Sequence, residues 1–205
     1  MKDLFLDPNK PLVTCSSTNC QDCVLSNRLQ CHFNLRVLLR FLAIAFPAFI
    51  FAGIGIARVN AWLLLPWIAL AFSYFGFIEI RVMCSHCPHY AEPGTKSLQC
   101  WANYGSPKLW KFNPGPMTIT EKAVFFIGLG LITGYPLVIL LFSRAWLLFI
   151  LFVVAITGMG ALMSRVMCNR CMNFACPFNR VEASLREAFF NLNPAIANSW
   201  KGTRS

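Results

Sequence analysis

Four apolar runs, each close to the length of a bilayer crossing, constrain this chain more than any other feature. They extend from Val37 to Ala57, Ala61 to Ile80, Ala123 to Phe142 and Trp146 to Met163. A hydrocarbon core about 30 Å thick needs roughly 20 apolar residues in helical form, because in lipid a helix satisfies its own backbone. The runs predict an all-α integral membrane protein with four transmembrane helices. Pro47 and Pro136 interrupt the first and third, which membrane helices tolerate when a neighbour takes up the freed carbonyl. Composition points the same way: 57% of the 205 residues are hydrophobic and only 13% are charged, against about 25% charged in soluble domains.

The connections Arg58-Val59-Asn60 and Ser143-Arg144-Ala145 are too short for anything but tight turns, so the four spans form two helical hairpins. Thr118-Ile119-Thr120-Glu121, placed after Pro114-Gly115-Pro116, has the pattern of a capping box and opens the third span. The first 35 residues are polar and carry cysteines, and the first apolar run lacks a small-residue cleavage pattern, so no signal peptide is expected.

Eighteen Lys and Arg against eight Asp and Glu give a net charge of +10. In a soluble chain that excess would suggest nucleic acid; here its distribution gives another reason. Only Arg58 and Arg144 lie in the hairpin turns, and the other 16 lie in the N-terminal arm with the start of the first span, the middle loop and the tail. The positive-inside rule then places both termini and the middle loop in the cytoplasm. Anionic lipid headgroups are the expected partner of this charge, and no nucleic acid is.

Sliding the sequence on itself by 84 residues aligns Ala61-Trp62-Leu63-Leu64 with Ala145-Trp146-Leu147-Leu148, and the arginine and cysteines of Arg81 to Cys87 with those of Arg165 to Cys171. Eleven of the 27 positions from Ala61 to Cys87 are identical. We read an internal duplication of a helical hairpin ending in Cys-x-x-Cys, with parallel copies related about the membrane normal. The expected organisation is an N-terminal arm (1–35), a first hairpin repeat (36–87), a middle loop (88–120), a second hairpin repeat (121–171) and a tail (172–205) with a short amphipathic helix. Glycines 53, 55, 128, 130, 134, 158 and 160 are expected to pack helices inside the bundle rather than between copies.

All ten cysteines fall outside the spans: Cys15, Cys20, Cys23 and Cys31 in the arm, Cys84, Cys87 and Cys100 after the second span, and Cys168, Cys171 and Cys176 after the fourth. A reducing cytosol disfavours disulfides, so such clusters read as metal ligands or redox pairs. Thiolates suit iron–sulfur clusters and zinc alike. His86 and His89 could complete a zinc site of three cysteines and one histidine, or Cys84, Cys87, Cys168 and Cys171 could close one all-cysteine site shared by the two repeats. No hydrolase triad, phosphate loop or paired carboxylate is present in the sequence.

The runs Cys84-Ser-His-Cys-Pro-His-Tyr90, Pro107-Lys-Leu-Trp-Lys-Phe112 with Pro114 and Pro116, and Arg170-Cys-Met-Asn-Phe-Ala-Cys-Pro-Phe-Asn-Arg-Val181 resemble those of small cysteine-rich four-helix membrane proteins of anaerobic prokaryotes. More loosely, they are similar to the membrane ferredoxin anchors of nitrate and nitrous-oxide respiration. The resemblance implies the cytoplasmic membrane of a prokaryote and an anaerobic setting. The expected function is electron transfer at the cytoplasmic face through thiolate-bound metal, an iron–sulfur cluster before zinc, between a soluble donor and a membrane redox partner or quinone. The alternatives are a scaffold clamped by structural zinc and a thiol- or metal-handling protein.

Overall fold

The computed structural model describes residues 11–20, 23–26 and 28–201. The first ten residues of the arm and residues 202–205 of the tail lie outside these, and with them Lys2, Lys10 and Arg204 of the charge count. The described chain is all-helical apart from one isolated β-bridge, Ser97 to Pro107.

Four helical segments are long and apolar enough to cross a membrane. The first is α1, Leu35–Val59, capped by Asn34, whose side chain accepts from the Arg36 amide. The second, Ala61–His86, is composite. It starts in a 3₁₀ turn, continues as α2, Leu64–Ser73, widens into a π-helical turn, Tyr74–Ile78, and resumes as α3, Glu79–Val82. The third, α4, covers Ile119–Phe142 and the fourth, α5, covers Trp146–Val166. All four outlast the sequence-based spans, because capped turns at their ends carry polar residues that hydropathy alone leaves out.

The expected capping box is formed. Thr118 Oγ1 accepts from the Glu121 amide at 3.2 Å, and Glu121 Oε2 accepts from the Thr118 amide at 2.8 Å. Helix α4 therefore begins at Ile119, four residues before the apolar run.

Helices α1 and α4 touch each other and both remaining spans, α1 packing mainly on α5 and α4 also meeting α2 and α3. Polar bonds cross these interfaces where backbone groups are free. Pro136 has no N–H to offer the Ile132 carbonyl one turn back, and the indole of Trp67 donates to that carbonyl at 3.0 Å. Gly128 leaves a slot for the Tyr74 ring, into which a Cβ would collide; the Tyr74 hydroxyl then donates to the Phe125 carbonyl at 2.8 Å. Gly55 likewise admits Leu140, whose side chain would stand 2.6 Å from an added Cβ. The expectation of internal packing thus fails for Gly130, Gly134, Gly158 and Gly160, around which an added Cβ meets nothing within 4 Å. Their faces look outward, beside exposed Leu131, Val138, Ile150 and Val154.

At the end of the bundle that bears the cysteines, three stretches fold into one cap. Helix α6, Ala183–Leu192, buries Leu185 and Phe189 of the expected apolar stripe, and α7, Pro194–Lys201, follows it after Asn193. The arm lies across both helices: Leu12, Leu25 and Leu29 join Leu185, Phe189, Ile196, Met172 and Cys87 in one apolar cluster. Ser16 donates backbone and side-chain hydrogens to the Leu192 carbonyl at 2.8 and 3.0 Å. The cap sits on the spans through Phe178, which packs edge-on against Phe125 and Phe126, and through Trp101, which meets Phe41.

Candidate functional site: two groups of cysteines in one cap

None of the ten cysteines is in a disulfide. They sort into two groups. In the arm, Cys15 closes a turn on the Leu12 carbonyl at 2.8 Å, and Cys23 accepts from Ser26 at 2.9 Å. These turns bring Cys15, Cys20 and Cys23 close enough for their thiolates to repel that of Cys31. Burial first, and then this repulsion, push the Cys31 thiol up to about 12. Cys20 is raised for the same two reasons.

The second group gathers the remaining six. A 3₁₀ turn holds Cys84 and is followed by Cys87. A loop closed by Lys108 N to Lys96 O (3.0 Å), Leu98 N to Ser106 O (2.8 Å) and Gly105 N to Leu98 O (2.9 Å) carries Cys100 to them. Gly105 sits at φ 84, where a side chain would be strained. The loop after α5 is shaped by Asn179, whose side-chain amide donates to the carbonyls of Cys171 (2.7 Å) and Asn173 (3.0 Å).

Contacts between the thiols are uneven. Cys84 is within electrostatic range of Cys87, Cys100 and Glu79. Cys87 reaches Cys100, Cys171 and Cys176, and Cys171 reaches Cys100, Cys176 and Cys168. The Ala102 amide lies 3.5 Å from Cys100 Sγ, and the Asn103 side chain reaches Cys84 Sγ at 3.1 Å.

Burial nonetheless governs the acidity. It raises Cys87 and Cys171 well above the ordinary thiol range, raises Cys100, and pushes Cys176 up to about 12. Cys168 is raised by burial and drawn back by the Arg180 guanidinium. With no cation present these groups are neutral thiols, and any cation that binds must displace their protons.

The histidines His86 and His89 differ in their surroundings. His86 Nδ1 faces the Gly115 carbonyl at 2.8 Å, and its Nε2 stands 3.4 Å from the Glu121 carboxylate, which also pairs with Arg81 at 3.3 Å. His89 is buried, with neither ring nitrogen hydrogen-bonded among the described residues; burial lowers it to about 4, so it is neutral at physiological pH. Gln30 donates its amide to the Arg170 carbonyl at 2.9 Å. The residue beside Cys31 is thereby tied to the second Cys-x-x-Cys loop.

Asn103, Asn173, Asn179, Gln30 and Glu121 shape the site, yet only Glu121 carried a readable signal, the capping box. Among the described residues no three His, Cys, Asp or Glu side chains stand close enough to hold one metal ion. Comparison with protein-family models, with curated proteins and with solved structures finds no match.

Proposed function

We propose that this chain is a membrane-embedded electron carrier whose cap binds iron–sulfur centres at the cytoplasmic face, taking electrons from a soluble donor and passing them to a membrane redox partner or quinone. One observation carries the reading: ten cysteines, none in a disulfide, lie in two groups within one cap, with the Ala102 amide directed at Cys100 and the Asn103 side-chain amide at Cys84. Amides directed at sulfur favour the charged thiolate and tune the potential of thiolate-bound iron. An amide directed at the Cys100 thiol, which burial raises, suits a cation-bound state. A single zinc ion needs its sulfurs at about 2.3 Å, whereas a cluster spreads its thiolates over several irons. In the zinc-clamped scaffold, His86, held by Gly115 and Glu121, is a poor candidate for a fourth ligand.

Membrane insertion rests on the four spans and their exposed apolar faces. The orientation rests on the 16 to 2 division of basic residues. Duplication of the hairpin is supported by the exchange of partners, α1 with α5 and α4 with α2, which a two-fold between α1 and α4 would produce.

The test is metal, labile sulfide and visible absorbance of the protein purified without oxygen in detergent. Iron, sulfide and a broad band near about 400 nm are expected. Zinc alone, without colour, would remove the electron-carrier reading and leave the scaffold.

A further inference from the structure

We infer that Lys122, Phe178 and Arg180 form a binding site for an acidic phospholipid, with the headgroup between the two cations and the acyl chains along the outer wall of α4. The inference rests on the membrane insertion proposed above and is independent of any metal centre. It singles out one site from the general attraction of a basic face to an anionic leaflet.

The site is built from α4 and from the loop that carries the last cysteines. Phe178 packs edge-on against Phe125 and Phe126, at centroid distances of 5.7 and 5.8 Å, yet Phe178 and Phe126 each remain 47% exposed. Phe126 lies seven residues past Ile119, the first residue of α4, which is about 10 Å along the helix axis. A protein inserted by its spans therefore presents both rings at the outer edge of the hydrocarbon, the level at which an aromatic belt forms. Two cations stand above them. Lys122 is exposed and lies one turn before Phe126, on the same face of α4. Arg180 is exposed two residues past Phe178, and its amide bonds the Cys168 carbonyl at 3.1 Å, which holds it level with the turn that follows α5. Among the described residues neither cation has a carboxylate partner, and the nearby acids are engaged elsewhere. Glu121 caps α4 and pairs with Arg81, and Glu182 pairs with Arg28 at 3.6 Å.

Uncompensated positive charge one helical turn above exposed aromatic rings matches a molecule that joins an anionic phosphodiester to apolar chains. A soluble acidic protein would pair with the cations and leave the rings, which lie at the level of the span, uncovered. A neutral lipid or a quinone would cover the rings and leave the charges unpaired. The loop also sets what a bound lipid does. Asn179, between Phe178 and Arg180, donates its side-chain amide to the carbonyls of Cys171 and Asn173 at 2.7 and 3.0 Å, so a lipid seated on its two neighbours holds the second cysteine group against the bilayer surface.

Native mass spectrometry of the full chain in detergent, titrated with phosphatidylglycerol or with phosphatidylcholine of the same chains, tests the site. The wild type should retain phosphatidylglycerol in preference to phosphatidylcholine. Lys122→Gln and Arg180→Gln should each weaken that retention about fivefold, and the double variant about thirtyfold, as basic residues at an anionic surface do. Phe178→Ser should weaken it too, which charge alone would not produce. Lys96→Gln with Lys111→Gln removes the same charge from the middle loop and should change retention by less than about twofold. All five side chains are exposed, so the fold survives these substitutions. A loss in the middle-loop control as large as in the Lys122 and Arg180 double variant, or equal retention of the two lipids by the wild type, overturns the site. Alkaline carbonate extraction of the membranes reads insertion separately. A chain that is released removes the membrane reading itself, whereas an inserted chain without lipid preference removes the site alone.

Discussion

Asn173, between Cys171 and Cys176, and Asn179, just past Cys176, do their work through side-chain amides bonded to main-chain carbonyls. Short polar side chains of this kind fix irregular loops without regular secondary structure. The cysteines themselves were legible from the sequence; which of them face one another was not, since loop closure by Asn leaves no periodic trace. Acidity at this scale is set by burial. A thiol whose folded value is raised to about 12, as for Cys31 and Cys176, adds stability below the unfolded value of 9.0 and loses it as pH climbs toward 12. In the metal-free protein the less enclosed Cys168, drawn back by Arg180, should therefore alkylate at least about tenfold faster than Cys87 near neutral pH. Peptide mass spectrometry after a timed iodoacetamide pulse reads this ratio, and Arg180→Gln should reduce it. Equal rates at the two thiols would contradict the burial argument.

Among the elements, the second span was legible as an apolar run, but its composite build was not. A π-helical turn adds a residue to the local repeat, which turns everything beyond it by about 100° relative to an uninterrupted helix. Glu79 and Cys84 lie just beyond that turn. The turn begins at Tyr74, the residue whose ring fills the Gly128 slot and whose hydroxyl bonds the Phe125 carbonyl. Hydropathy records length and greasiness, and neither quantity contains this lock. Gly128→Leu should evict the ring and lower the melting temperature in detergent by several degrees, more than Trp67→Phe. The latter removes one hydrogen bond to the Ile132 carbonyl, worth about 0.6 kcal/mol on average within membrane helices. Should Gly128→Leu melt like the wild type, the slot is not the constraint it is taken to be. By contrast the start of α4 could be read in advance because a capping box is a local, four-residue code.

At the scale of the whole molecule, the bundle could be foreseen and the cap could not. Helix α7 carried no expectation, and the arm read as a separate stretch. Their union depends on contacts far apart in the chain, such as Thr14 Oγ1 to Asn193 Oδ1 at 2.9 Å across 179 residues. Asn193 is buried and holds the Phe189 carbonyl with its amide at 2.8 Å, so Asn193→Ala leaves a polar group unmet in the core. Loss of about 1–3 kcal/mol is expected there, with faster alkylation of Cys15 and Cys31 in the arm while Cys100 keeps its rate. Unchanged rates at Cys15 and Cys31 would show that the arm does not depend on this joint. The same long-range seam also bears on biogenesis. The apolar face of Leu12, Leu25 and Leu29 has no partner until α6 and α7 have been synthesised and four spans have been inserted. A nascent chain thus exposes its first four thiols throughout translation. On the proposed function, loading of the arm with metal would be a post-translational event, timed by the arrival of the tail.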